Sequence, residues 1–280
     1  MKKTYFISWQ PQLLTILLSL WVLSSSADER KDRWTQFLKA YYKPLPMPEL
    51  AENFGVQVGN KVFKPTGDGP FPAVVLVHTA GGLSNDHIKR HAQNLLAKGY
   101  VVLIQDSMGP RGVRVITDST RIAHPIIGVK DAVESWKFLS QQSYVDKERI
   151  YEAGMSYGGF VASLVASKSV AEFTEAKGRF RATVSFYSTC SYGTSKLIIE
   201  DTDRPLLMLL AGSDRELQHG NCFKDLESMK SKGLPIEYHI YEGIGHGWDK
   251  QGEVQYGYVY NEEVTKDSFH RMVEFFERNK

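Results

Sequence analysis

The sequence predicts an α/β protein built on one mostly parallel sheet with helices on both faces. Two observations predict it. Short apolar runs of strand length recur between residues 73 and 241. They are apolar at consecutive positions, as strands buried on both faces are. Amphipathic stretches of helical length separate them, and strand–helix alternation of this kind builds parallel crossovers. The 280 residues are 42% hydrophobic and 24% charged, enough for a sizeable core within one α/β domain.

The elements follow in order. Residues 1–27 stand apart. Lys2 and Lys3 give a basic start, residues 13–23 form an apolar run, and S-S-S-A precedes the charged D-E-R-K-D-R. That order is the pattern of a cleaved signal peptide, with Ser25 and Ala27 as the small residues before a cut after Ala27. The run is shorter than the roughly 20 residues of a membrane span, which disfavours the alternative of an uncleaved anchor. The expected mature chain is exported to the periplasm or beyond and has no stable membrane span. No cysteine lies near the cut to carry a lipid. Cleavage removes Lys2 and Lys3 and no acid, so the 34 Lys and Arg become 32 against 32 Asp and Glu. A neutral chain gives no electrostatic basis for nucleic acid or anionic lipid as a partner.

Residues 28–54 read as an amphipathic lead-in stopped by K-P-L-P-M-P. Residues 55–280 form the predicted domain. An early strand and turn occupy 54–65, and T-G-D-G-P-F-P is a turn cluster. Strands are expected at 73–78, 100–105, 149–153, 182–187, 205–211 and 236–241. Helices are expected at 86–99, 126–140, 157–168, 221–232 and 261–278. The last carries Val264, Phe269, Met272, Val273 and Phe276 on its apolar side. No insertion is long enough to form a large lid.

Between the strand at 149–153 and the following helix lies Gly154-Met155-Ser156-Tyr157-Gly158, followed by Gly159. G-x-S-x-G between strand and helix is the nucleophile elbow of the α/β-hydrolase fold. The turn is so tight that side chains beside the serine clash, and the helix N-terminus faces the oxyanion that forms on attack. A serine needs a base and an orienting acid, and in this fold they follow in the order Ser, acid, His. Asp214 in L-L-A-G-S-D follows the strand at 205–211, and His246 in G-I-G-H-G-W follows the strand at 236–241. Both sit at carboxyl ends of strands, where open α/β sheets place their sites. Asp201, Asp203 and Asp249 are rivals to Asp214 for the orienting acid, but they lack its position directly after an apolar strand. Among other histidines, His78 ends a strand near the site and is expected to shape the pocket. His239 lies within a strand, His87, His91 and His270 are expected on solvated helix faces, and His124 and His219 in loops.

The oxyanion donors expected are the N–H of Tyr157 and that of Ala80 in the loop H-T-A-G-G-L, with Thr79 and Gly81 as neighbours. The plainer reading makes Gly81 and Gly82 only a turn. Arg111 in D-S-M-G-P-R-G leaves a strand at the same end of the sheet and reads either as a clamp on a substrate acid or as half of a surface ion pair. Tyr157, Tyr187, Tyr192 and Trp248 are candidate walls of an apolar pocket, or ordinary core. Thr79 and Trp248 join Arg111 as candidate substrate contacts. Cys190 and Cys222 are the chain's two cysteines. In an exported protein an even pair reads as a disulfide, the alternative being two buried thiols. No Cys/His spacing suits zinc, and G-I-G-H-G lacks the last glycine of a dinucleotide fingerprint, so neither metal nor cofactor is expected.

The run F-P-A-V-V-L-V-H-T-A-G-G, then D-H-I-K-R-H-A-Q-N-L-L-A-K-G-Y-V-V-L, D-S-M-G-P-R-G, G-M-S-Y-G-G, L-L-A-G-S-D and G-I-G-H-G-W resembles the dienelactone hydrolase family from about residue 55 to the C-terminus. The resemblance implies an α/β-hydrolase fold and hydrolysis of a small-molecule ester or lactone. It also favours a Cys190–Cys222 disulfide, since exported relatives carry cysteines in these regions. Two departures stand out: Ser156 replaces the cysteine nucleophile of the best-known members, and Thr79 stands where they carry a glutamate. Both fit a serine–histidine–aspartate site. The rival expectations are a peptidase-like acyl hydrolase and an inactive α/β-hydrolase fold that only binds.

Overall fold

The computed structural model describes residues 27–55, 57–83, 86–113, 124–192, 195–215, 217, 222–252 and 258–280. The expected signal segment lies outside the described residues up to position 26, as does His219. The chain opens with helix α1 (Ala27–Tyr41) and continues through β1 (Glu49–Leu50), β2 (Lys61–Phe63), β3 (Phe71–Val77), α2 (His87–Ala97) and β4 (Val101–Gln105). A short 3-10 turn (Gly109–Arg111) leads on to α3 (His124–Ser140), β5 (Val145–Met155), α4 (Tyr157–Val165), α5 (Lys168–Phe173) and β6 (Thr183–Phe186). The hairpin β7 (Ser191–Tyr192) and β8 (Ser195–Lys196) precedes β9 (Leu206–Ala211), α6 (Cys222–Ser231), β10 (Ile236–Tyr241) and α7 (Glu262–Arg278). Among the described residues no helix is long and apolar enough to cross a membrane.

The main sheet has the order β1-β2-β4-β3-β5-β6-β9-β10 and is parallel except where β2 meets β4. The consecutive apolar residues of its strands divide by parity. Val74 and Leu76 of β3 and Val102 and Ile104 of β4 join one buried cluster with α2 and α7. Ala73, Val75, Val77, Val101 and Leu103 join another, with α3 and α4. Both faces are therefore covered, and the order reverses beside β5, which places the loops after β3 and β5 at the switch point.

The lead-in packs on the domain: Trp34 of α1 lies edge-on against Phe173 at 5.0 Å, and β1 pairs with β2. The structure departs from expectation in three places. The helix expected at 157–168 breaks after Val165, because Ser167 adopts extended backbone and its Oγ accepts from Val170 N, starting α5. His124, expected in a loop, opens α3. His87 and His91 are buried rather than solvated. They lie on the face of α2 that also carries Ile88, Ala92 and Leu95.

Cys190 and Cys222 form a disulfide with a Cα–Cα distance of 5.1 Å, joining the segment after β6 to the start of α6. It closes a loop with a sequence separation of 32 that contains β9. On the chain-entropy account such a cross-link contributes about 3–4 kcal/mol. A Cys190→Ser/Cys222→Ser variant is expected to lose about that much in urea unfolding, and an unchanged midpoint would contradict it.

Glu152, on β5, is fully buried, and among the described residues neither carboxyl oxygen has a hydrogen-bond partner. Burial holds its carboxyl well above the usual carboxylate range. A raised acid is protonated in the fold but ionised when unfolded, so its stabilising effect is full below about pH 4.5 and is lost as pH rises towards the folded pKa. Glu152→Gln keeps the shape and removes the titration. Its stability relative to the parent should grow with pH above about 4.5, by roughly 1.4 kcal/mol per unit until the folded pKa is reached. Paired melts from pH 4 to 8 measure this, and a constant difference would refute it.

Candidate active site

The site begins with a close crossing of backbones. A Cβ on Gly154 would lie 2.0 Å from Gly158 O, and one on Gly158 would lie 2.2 Å from Val77 O. Side chains at either position would force β5, the turn and the end of β3 apart. Within this crossing Ser156 takes φ 54° and ψ −104°, a left-handed region that a non-glycine residue occupies only under constraint. The constraint is visible. Ser156 N donates to Phe186 O at 2.9 Å, Gly158 N to His78 O at 3.0 Å, and Phe160 N to Ser156 O at 3.1 Å.

The loops after β9 and β10 bring the other two side chains to the serine. His246 Nε2 is 2.9 Å from Ser156 Oγ, and His246 Nδ1 is 2.7 Å from Asp214 Oδ2. Asp214 Oδ1 accepts the N–H of Leu217 at 2.8 Å, which fixes the carboxylate's rotation. An acid at Nδ1 favours the tautomer with the proton there, leaving Nε2 to accept the serine hydroxyl. Ser156 and His246 are 5% and 4% exposed, so the line of hydrogen bonds sits in a largely dry setting. Such a line can move a proton from a hydroxyl to an imidazole whose positive charge the carboxylate then stabilises.

The loop after β3 completes this end of the sheet. Gly82 N donates to Thr79 O, and Gly81 N to Thr79 Oγ1, so buried Thr79 shapes the turn that carries Ala80. Burial lowers the pKa of His78, whose Nδ1 donates to Thr79 O at 2.7 Å and whose Nε2 accepts from Ser107 N at 3.1 Å. His78 thereby joins the loops after β3 and β4. Its ring also stacks on Tyr157 at 5.7 Å.

The other aromatic candidates sit in or beneath the site. Tyr157, Tyr187 and Trp248 are buried, and Trp248 Nε1 donates to Ser268 Oγ of α7. Among the rival acids, Asp201 accepts from Ser167 Oγ and Ser169 N, and Asp203 pairs with Arg179. Asp249 lies behind the site, where it accepts Tyr187 OH and His91 Nε2–H, each at 2.8 Å. No sequence pattern connects these three residues, because the link depends on the unexpected burial of His91.

Of the two readings of Arg111, the structure shows an ion pair, with a partner that is buried and not on the surface. Its guanidinium forms a two-pronged pair with the buried Asp131 carboxylate, at 2.7 and 2.8 Å. It also donates to Ser107 O at 2.7 Å and to Lys43 O. These bonds tie the lead-in to α3 and to the loop after β4. Leaving Asp131 buried without its partner should cost about 3–5 kcal/mol. Arg111→Gln is therefore expected to lower the unfolding free energy by that order while KM for a neutral ester stays within about twofold. A large KM rise with unchanged stability would reinstate the clamp.

The sequence model of the dienelactone hydrolase family matches residues 58–279, and the chain belongs to that family. The chain is 32% identical over 135 residues to Esterase EstD of Thermotoga maritima, a match covering 45% of this chain and 32% of that one. It thus spans about a third of that esterase's length. In fold it is similar to the butyrate-bound esterase Est2 of Thermogutta terrifontis, with a TM-score of 0.56 and 17% identity over 78% of this chain and 87% of that one. It is equally similar to a dienelactone hydrolase-like promiscuous phosphotriesterase from metagenomic libraries, with a TM-score of 0.56 and 18% identity over 76% and 88% of the two chains.

Proposed function

We propose, from the premise that the chain is a dienelactone hydrolase family member, that it is a serine hydrolase cleaving carboxylic ester or lactone bonds. The observation that carries the reading is the hydrogen-bonded line Ser156–His246–Asp214 at the carboxyl end of the sheet. The esterase relative and the esterase of similar fold support the ester as substrate class.

In this mechanism His246 Nε2 takes the Ser156 proton as Oγ attacks the carbonyl carbon. The N–H groups of Tyr157 and Ala80 receive the oxyanion, each such donor being worth about 10²–10³ in rate. The imidazolium, stabilised by Asp214, returns its proton to the departing alcohol and leaves an acyl-Ser156 ester. Water, deprotonated by the same imidazole, then releases the acid. Thr79 shapes the oxyanion loop, Arg111 braces the loop after β4, and Trp248 packs edge-on against Tyr187. None of the three needs to touch substrate in this scheme.

The location we propose is outside the cytoplasm. Residues 1–27 have the order of a signal peptide, and a disulfide such as Cys190–Cys222 persists in oxidising compartments.

A fluorophosphonate probe and a p-nitrophenyl ester series test the reading on the parent and Ser156→Ala. The parent should be labelled and should turn over ester. The variant should not be labelled, and its kcat should fall by about 10⁶-fold. A folded parent that neither reacts nor turns over ester would overturn the proposal.

A further inference from the structure

We infer that Tyr187, held from behind by Asp249 and His91, is a positioning residue for His246; the inference rests on the proposed role of His246 as base. Hydrogen bonds at Nδ1 and Nε2 fix two points of the imidazole and leave the ring able to tilt about the line joining them. A packing contact is needed to set that tilt. Tyr187 supplies one, with ring centroids 5.0 Å apart and planes at 71°.

Tyr187 is itself held at several points. Its N–H donates to Leu209 O at 2.7 Å, so its backbone is tied to β9. Its φ is 36°, a constrained value for a residue with a side chain. Its ring meets Trp248 edge-on at 4.8 Å. Its hydroxyl donates to Asp249 Oδ1, whose other oxygen accepts His91 Nε2–H. Asp249 is 1% exposed, and its backbone carbonyl accepts from Arg90.

A phenylalanine would fill the same apolar space without a buried carboxylate. Burying Asp249 is costly unless it is fully hydrogen-bonded. Burial pushes its carboxyl up, but the adjacent His87, His91 and the Tyr187 hydroxyl outweigh burial and hold it below the usual range. The carboxylate is thus a fixed acceptor, and it sets where the Tyr187 ring meets His246. A helix-borne histidine, a loop aspartate and a strand-end tyrosine thus form one hydrogen-bonded array whose last ring packs against the base.

Tyr187→Phe removes only the hydroxyl, and Asp249→Asn keeps the shape while removing the charge. In histidine-labelled protein, the His246 ring resonance is assigned by its loss in His246→Gln. It should shift and broaden in both variants, while that of the exposed His270 stays in place. With a p-nitrophenyl ester, kcat should fall about 10-fold with KM within twofold, the scale of a sub-ångström displacement of a catalytic group. A folded Tyr187→Phe protein with an unchanged His246 resonance overturns the inference. So does a kcat within twofold of an active parent, even if the melting temperature drops, because the array then only stabilises the core. If Asp249→Asn does not fold, Tyr187→Phe decides alone. A parent without esterase activity would defeat the proposed function, and the resonance would still decide whether Tyr187 positions the ring.

Discussion

The backbone crossing at Ser156 is the constraint on which the rest of this structure depends. Gly154, Gly158 and Val77 approach so closely that β3, β5 and α4 share one point of contact. That contact fixes the serine at the centre of the sheet, with the start of α4 on one side and the loop after β3 on the other. The strained φ of Ser156 persists because the hydrogen bonds to Phe186, His78 and Phe160 constrain it from both sides. Relaxing it would disturb three elements of the core at once.

Around this point the molecule uses buried polar links where an apolar core alone would leave loops loose. His78 joins the loops after β3 and β4, and Arg111 with Asp131 joins the loop after β4 to α3 and the lead-in. Asp249 joins α2 to the segment after β6. Each buried group has its donors and acceptors largely matched, which is the condition under which burying polarity fixes geometry. His87, like Glu152, is an exception. Burial pushes its pKa down to about 4, and among the described residues neither ring nitrogen has a partner. A depressed histidine stabilises the fold fully only above its unfolded pKa near 6.5, and that stabilisation fades as pH falls towards 4. Glu152 works in the opposite sense, its stabilising effect fading as pH rises above about 4.5, so the two partly offset each other.

The parts legible in the sequence were those governed by local rules. Consecutive apolar residues marked the central strands, and G-x-S-x-G marked the turn, in which Gly154 is required by a contact with nearby Gly158 and Gly158 by a contact with Val77 on β3. Asp214 and His246 were legible because chain order and strand ends fix where such loops emerge. The partners of Arg111 and His91 were not legible, since Asp131 and Asp249 are distant in sequence and no periodicity points to them. The burial of His87 and His91 does leave a trace in the sequence: they continue the stripe of Ile88, Ala92 and Leu95 along α2. Their polarity points to solvent, but a histidine with a carboxylate partner, as His91 has, is at home on a buried face.

The same contrast separates the histidine–aspartate pairs His246–Asp214 and His91–Asp249. In each, an imidazole nitrogen lies within 2.8 Å of a carboxylate oxygen in a largely buried setting. They differ in what occupies the far side. His246 presents its second nitrogen to a serine hydroxyl at the carboxyl end of the sheet, whereas His91 lies on a helix packed into the core. Chemistry therefore follows from what the pair faces and not from the pair itself. Tyr187 spans the distance between them, with its ring against one histidine and its hydroxyl on the other's carboxylate. Through it the rigidity of the core reaches the imidazole that faces Ser156.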